Sequence, residues 1–215
     1  FWSFKQTIEN GIQNPFTGNE SQAVDELENR LTKSIKDQML ADVPLGAFLS
    51  GGVDSSVVVA LMQKQSTRPI KTFAIGFDEP SYNEAIYAKE VARHLGTDHT
   101  ELYVGADDAL ALVPKLASIY SEPFADSSQL PTFLVSQMAK RQVTVSLSGD
   151  GGDELFGGYN PYHFAPKIWN KVKLLPTPLR SLATHVLSGL PLPGKIQKLL
   201  SVFPAKDRRQ FYQLM

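Results

Sequence analysis

Leu49-Ser50-Gly51-Gly52-Val53-Asp54-Ser55-Ser56 stands between two apolar runs, Pro44-Leu45-Gly46-Ala47-Phe48 and Val57-Val58-Val59-Ala60-Leu61-Met62. The first run is short and bounded, as expected of a buried parallel strand, and the second reads as the start of a buried helix. A Ser-Gly-Gly turn from strand to helix leaves backbone N–H groups bare at a helix N-terminus, where an anion, most often phosphate, is stabilised. An ordinary P-loop would place a lysine in this turn. Here the turn carries a carboxylate, Asp54, and the hydroxyls of Ser50, Ser55 and Ser56. A carboxylate repels phosphate unless a divalent cation lies between them. The stretch therefore predicts a site for a Mg²⁺-bound polyphosphate.

Bulk properties narrow the class. A chain of 215 residues can bury the core of one α/β domain with extra helical material. Its 21 basic and 22 acidic residues give a net charge of -1, so no basic excess points to nucleic acid or to an anionic membrane. With no cysteine, disulfides, thiolate metal sites and cysteine nucleophiles are excluded. No apolar run approaches the roughly 20 residues that a membrane-crossing helix needs. The start at Phe1-Trp2 rather than Met, and the stop at Met215 without a helix-ending signal, read as a piece of something longer. A cytoplasmic location is expected.

Working outward, residues 1–20 read as a polar linker arriving from a missing N-terminal domain. Val24, Leu27, Leu31 and Ile35 recur at helical spacing up to Met39-Leu40. After the central turn, 70–77 reads as a second strand. Ser81-x-x-Glu84 resembles a capping box for a helix that Gly96 stops. Thr100 to Val104 is a short third strand, and Asp107 or Asp108 could cap a helix that Pro114 kinks or splits. Gln142 to Leu147 is a fourth strand, opening into Ser148-Gly149-Asp150-Gly151-Gly152-Asp153-Glu154. Alternating strands and helices predict a doubly wound, mostly parallel α/β sheet, with residues 21–160 as its domain. Residues 161–215 read as a helical extension cut by Pro166, Pro176, Pro178, Pro191, Pro193 and Pro204, its late basic residues on solvated faces.

In such a sheet, ligands bind beyond the carboxyl ends of the strands, where strand order reverses. The turns after strands one and four can face one another there, with Asp54 from one and Asp153 from the other able to hold Mg²⁺ on a phosphate chain. Glu122-Pro123-Phe124-Ala125-Asp126-Ser127-Ser128 lies at the same edge; Asp126 reads either as a helix cap or as part of the site. Phe156-Gly157-Gly158-Tyr159 reads as a tight turn. Asp78 and Glu79 read as a solvated loop. His94, His99, His163 and His185 lack the spacing of metal-binding histidines and read as structural or exposed. Trp2 and Phe4 read as packing residues.

Ser50-Gly51-Gly52-Val53-Asp54-Ser55-Ser56 resembles the pyrophosphate loop of the N-type ATP pyrophosphatases. The stretches Glu122 to Ser128 and Ser148 to Tyr159 resemble, more narrowly, glutamine-hydrolysing asparagine synthetases. The resemblance covers Phe1 to about Tyr162 and weakens beyond. It implies a Rossmann-like, adenine nucleotide alpha hydrolase-like fold with additional helices, and a reaction that uses ATP, Mg²⁺, aspartate and ammonia. Aspartate and ATP would form β-aspartyl-AMP and pyrophosphate, and ammonia would then displace AMP. By the family pattern, Ser50, Gly51, Gly52, Asp54 and Ser55 would hold pyrophosphate, and Asp54 and Asp153 would ligate Mg²⁺. Leu49, Ile75, Ser148 and Gly149 would contact adenosine. Asp150 stands where the best-known members have a glutamate that manages protons, one methylene shorter. The family's glutaminase cysteine is absent from this chain, and the lysine that stabilises adenylation is expected beyond its end. A related adenylating amide former, similar to β-lactam synthetase, and a nucleotide-binding module without turnover stay open. So does the oligomeric state, a homodimer among the options.

Overall fold

The computed structural model describes residues 2–79, 83–123, 125–187, 189, 191 and 193–214. Four parallel strands form one sheet: β1 Leu45–Phe48, β2 Lys71–Phe77, β3 Asp98–Val104 and β4 Val145–Leu147, in the order β3-β2-β1-β4. Helix α3 (Val53–Gln65) carries the chain from β1 to β2, and α4 (Ala85–Leu95) from β2 to β3. The chain then crosses back past β1 to the opposite edge and enters β4 after α7 (Gln129–Ala139). The order therefore reverses between β1 and β4, as the sequence predicts for a doubly wound sheet.

Both faces are covered, which explains the near-continuous apolar reading of β2. On one face, Ile35 of α2 (Glu20–Gln38), Val59 and Met62 of α3, and Ala88 and Ala92 of α4 pack together. On the other, Phe73, Val135, Met138, Ala139 and Val143 form a second cluster under α7. Phe73 is wholly buried, and burying such a side chain is worth about 1.5–3 kcal/mol. Gly46 is small because a Cβ there would meet the Lys71 carbonyl and the Phe73 ring, both at 2.8 Å. Buried Thr72 keeps its hydroxyl satisfied by Thr97 Oγ1 and His99 Nδ1, each at 2.9 Å.

Several local expectations are corrected. Residues 1–20 are not an irregular linker: α1 (Phe4–Gln13) forms, capped by Ser3, whose hydroxyl accepts from the Gln6 N–H at 3.4 Å. None of α1 is buried, and Trp2 and Phe4 pack only loosely on each other, with rings 6.2 Å apart and more than half exposed. Helix α2 starts at Glu20 because Asn19 and Gln22 exchange reciprocal bonds of 2.9 and 3.0 Å. Strand β3 begins at Asp98, earlier than expected, held by its N–H to the Ile70 carbonyl at 2.9 Å. Strand β4 is shorter than expected, since the N–H groups of Gln142 and Val143 close α7 on the Ala139 carbonyl. Helix α4 has Glu84 as its flanking residue, without a side-chain cap, and Ser81 lies outside the described residues. Gly96 ends α4 in the left-handed conformation, φ 70°, as expected. Pro114 splits its helix: α5 (Ala106–Leu112) passes through a 3-10 turn, Val113–Lys115, into α6 (Leu116–Ile119).

By contacts the chain divides into two compact units, Phe1–Asp150 and Gly151–Met215, so this division falls before the expected boundary at 160/161. The second unit holds α8 (Gly152–Phe156), α9 (Asn160–Val172), α10 (Thr177–Leu187), α11 (Gly194–Val202) and α12 (Arg208–Leu214). Pro166 sits inside α9 rather than ending it. Ala165, Val202, Ala205 and Phe211 make the core of this unit. Arg180 departs from the expected solvated basic faces. It is buried, donates through Nη1 to the carbonyls of Ala205 (2.7 Å) and Phe203 (3.1 Å), and lies over the Trp169 ring.

Candidate functional site: the turns after β1 and β4

Helix α3 begins at Val53, directly after the Ser-Gly-Gly turn and earlier than the apolar run at Val57 suggests. Gly52 is its N-cap and has no side chain to offer the first turn. The first helical bond runs from the Ser56 N–H to the Gly52 carbonyl at 3.1 Å. The N–H groups of Val53, Asp54 and Ser55 therefore have no acceptor within the helix. Asp54 is half-buried in this first turn, where the helix dipole favours negative charge. Its side chain makes no hydrogen bond or ion pair among the described residues.

The turn is held by its own serines. Ser55 is buried, with its Oγ 2.9 Å from Ser50 Oγ and within reach of the Ser50 N–H (3.2 Å) and the Gly52 carbonyl (3.3 Å). Ser50 Oγ also accepts from the Gly52 N–H at 3.3 Å. Ser55 thus sets the shape of the loop before it can touch any ligand. Gly51 adopts φ +81°, and a Cβ there would lie 2.6 Å from both the Ala88 N and the Tyr87 Cβ of α4. Sequence reasoning missed this packing of α4 on the loop, because nothing in the spacing of Tyr87 and Ala88 announces it.

The turn after β4 meets the same helix end. A Cβ at Gly149 would stand 2.6 Å from Ser55 N and 2.9 Å from Asp54 C. Only a glycine lets the two backbones approach so closely. Ser148 Oγ donates to Asp150 Oδ2 at 3.0 Å and accepts from the Asp150 N–H at 3.4 Å, which fixes the exposed Asp150 carboxylate beside its own turn. The two turns that sequence reasoning paired are therefore in contact at the reversal between β1 and β4.

The expected adenosine contacts divide by face. Leu49 is 1% exposed and packs in the cluster under α3 and α4, so its side chain offers no surface to a ligand. Its N–H bonds the Phe73 carbonyl at 2.9 Å. Pairing with β1 stops at Phe48–Phe73, while β2 runs on to Phe77. Ile75 therefore carries an edge of β2 facing the end of β1 without a strand partner, and its half-buried side chain packs toward α7.

Other expected residues have local roles. Asp126 Oδ1 accepts from the Ser128 N–H at 2.8 Å, closing the turn before α7. That bond and a second to the Ser128 side chain hold its carboxyl below the usual range. Asp153 lies in the first turn of α8, in the second unit. Its carbonyl accepts from the Gly158 N–H at 3.0 Å, and Gly157 takes φ 70°, which makes the expected tight turn. Tyr159 donates to Glu154 Oε1 at 2.9 Å, and this bond pushes its phenol up to about 12. His94 lies in the last turn of α4. His99, in β3, is held below its ordinary value chiefly by burial.

The profile of the asparagine synthase family matches residues 26–214. The chain is 35% identical over 196 residues to asparagine synthetase [glutamine-hydrolyzing] 1 of Bacillus subtilis (strain 168), covering 90% of this chain and 31% of that protein. It is 40% identical over 185 residues to the putative asparagine synthetase [glutamine-hydrolyzing] 2 of Methanocaldococcus jannaschii, covering 86% and 35%. The chain thus spans about a third of the length of these relatives. Among solved structures, the NMN synthetase from Francisella tularensis aligns with a TM-score of 0.46 and 16% identity, over 64% of this chain and 59% of that one. With the profile match running through both Ser-Gly turns, the chain belongs to the asparagine synthase family.

Proposed function

We propose that the chain carries the ATP-dependent half of asparagine synthesis: it adenylates the side-chain carboxylate of aspartate and passes the acyl group to ammonia. The observation that carries this reading is the contact of Gly149 with the bare N-terminus of α3. That contact brings two Ser-Gly turns, each with a carboxylate, together, which supports reading them as one anion-binding corner. The relatives are named as glutamine-hydrolysing asparagine synthetases, which supports asparagine as the product.

In this reading the unpartnered N–H groups of Val53, Asp54 and Ser55 receive the β- and γ-phosphates. An aspartate oxygen attacks the α-phosphorus, the bond to the bridging oxygen breaks, and pyrophosphate leaves. Charge grows on the departing group, and N–H donors fixed at a helix end stabilise it without reorganising. Ile75 offers the backbone groups of its open edge to the base, and Leu49 its carbonyl. Ammonia then attacks the acyl carbon with its lone pair, AMP departs, and Asp150 is the nearby carboxylate assigned to take the proton.

The donor set around Asp54 fits Mg²⁺. Among the described residues no cluster of three or more His, Cys, Asp or Glu side chains could enclose a metal. Mg²⁺ is commonly bound by one or two carboxylates together with substrate phosphates, and Asp54 stands unpaired at the phosphate end. Asp153 is assigned as the second ligand from the sequence pattern. When bound, the ion supplies charge neutralisation at the phosphates. Among the described residues no helix is long and apolar enough to cross a membrane, and a cytoplasmic location agrees with a substrate set of ATP and amino acid.

Exchange of labelled pyrophosphate into ATP across a panel of acids tests the reading. Exchange that depends on aspartate is expected. Exchange with a different acid alone would point to a related adenylating amide former, and Mg·ATP binding without exchange for any acid would point to a binding module.

A further inference from the structure

Helix α4 meets the phosphate turn backbone to backbone. A Cβ on Gly51 would lie 2.6 Å from the Ala88 N and 2.7 Å from the Tyr87 carbonyl carbon, so a shift of α4 over the sheet is passed directly to the turn. Little fixes α4 in place. Its start has no side-chain cap, and its buried positions, Ala85, Ala88 and Ala92, are all alanine. Alanines bury little area and do not interlock with a facing sheet, so they permit close approach without setting a register.

A polar tie stands beside them. Lys89, the residue after Ala88, places its Nζ 3.5 Å from Glu101 Oε1 on β3. The Glu101 side chain is only 14% exposed, and the Tyr103 hydroxyl donates to its Oε2 at 3.1 Å. Oε1 is left to Lys89. The same oxygen lies 3.6 Å from His99 Nε2, which is buried and has no hydrogen-bond partner among the described residues. The other ring nitrogen, Nδ1, is 2.9 Å from Thr72 Oγ1, which holds the ring where it is. The charged groups facing the ring are Glu101 on β3 and Lys89 and Arg93 on α4, which line one cavity with it. From β2 the ring meets the Thr72 hydroxyl. Lys71 and Asp98 pair with each other at 3.8 Å, and the strand alternation turns them to the opposite face.

A neutral His99 leaves Oε1 to Lys89. A protonated His99 presents a second cation to the one open oxygen and donates to it in a charge-assisted bond. We propose that Glu101 is a positioning residue for the phosphate turn, holding α4 through Lys89, and that a proton on His99 loosens this hold by competing for the same oxygen. Its consequence for nucleotide binding rests on the proposed function; the coupling of Glu101 to Gly51 does not.

Two readouts on the whole chain test it: the amide shifts of residues 50–52 without ligand, and Mg·ATP affinity between about pH 5.5 and pH 8, the range in which histidine titrates. Lys89→Met and Glu101→Gln are each expected to move the amides of Ser50, Gly51 and Gly52. Each should weaken Mg·ATP about two- to fivefold at the alkaline end, the worth of one partly exposed ion pair. The double variant should be no weaker than either single one, because both remove the same tie. Lys89→Arg should keep native affinity. Wild-type affinity should fall toward acid pH more steeply than that of His99→Gln; protonation of ATP itself is common to both and cancels in the comparison. Urea unfolding checks that each variant is folded, and Lys89→Met, a change at an exposed side chain, carries the test if the buried positions do not tolerate substitution. Native amide positions and affinity in Lys89→Met, additive losses in the double variant, or parallel pH profiles of the wild type and His99→Gln would overturn the proposal. A wild type that binds no Mg·ATP would instead overturn the proposed function, and the ligand-free amide shifts would still decide the coupling.

Discussion

Gly149 is the residue on which the nucleotide site turns. A side chain there would drive a Cβ into the backbone of Ser55 and Asp54, and backbone at a helix start cannot yield without moving the helix. Gly149→Ala is expected to cost about 1–3 kcal/mol in urea unfolding, in the range of overpacked interiors. It should also lower Mg·ATP affinity by at least about tenfold, equivalent to 1.4 kcal/mol; an alanine variant with native affinity would contradict the assigned contact. His99 makes a separate prediction. Its folded pKa lies below the ordinary 6.5, mainly through burial, so the unfolded chain binds more protons in the interval between the two values. Stability is then fully present above about pH 6.5 and falls as pH drops toward the lower folded value. Glu101, with its carboxylate 3.6 Å from His99 Nε2, opposes the shift, and Lys89 adds to it. His99→Gln should flatten the acid limb of a urea-midpoint profile; an unchanged limb would remove His99 as its source.

At the scale of elements, periodicity and turn chemistry made most of the sheet legible. The four strands, the reversal between β1 and β4, and the stop of α4 at Gly96 all follow from apolar runs bounded by glycine turns. What escaped was capping and local closure. Helix α1 carries no buried residue, so its apolar positions gave no core signal, and its existence rests on Ser3. Helix α3 starts at Val53 because Gly52 caps it, although the apolar run begins later. In the second unit, Arg180 is indistinguishable in sequence from the solvated basic residues, because sequence carries no sign that the Phe203 and Ala205 carbonyls take a donor there. Arg180→Ala would leave both carbonyls without that donor and uncover Trp169. A loss of about 1–3 kcal/mol in the stability of α9–α12 is expected, chiefly from the buried Ala205 carbonyl left unsatisfied. Helix-resolved hydrogen exchange would register it, and unchanged protection of these helices would show that the buried arginine is replaceable.

Across the whole molecule, the family was legible because three separated motifs carry it, whereas the cavity beyond the ends of β2 and β3 was not. Asp78 and Glu79 read as a solvated loop, and only the closing of β2, β3 and α7 around one volume gives them a lining role. Of the residues proposed for the nucleotide, Leu49 to Ser55, Ile75 and Ser148 to Asp150 fall in the first compact unit. The turns after β1 and β4 are proposed to act as one Mg·ATP site. The most direct measurement is a Mg·ATP titration of the ¹⁵N-labelled chain followed residue by residue. Amides 50–56 and 148–150 are expected to shift together along one saturation curve. Saturable shifts in only one of the two turns, or in neither, would contradict it.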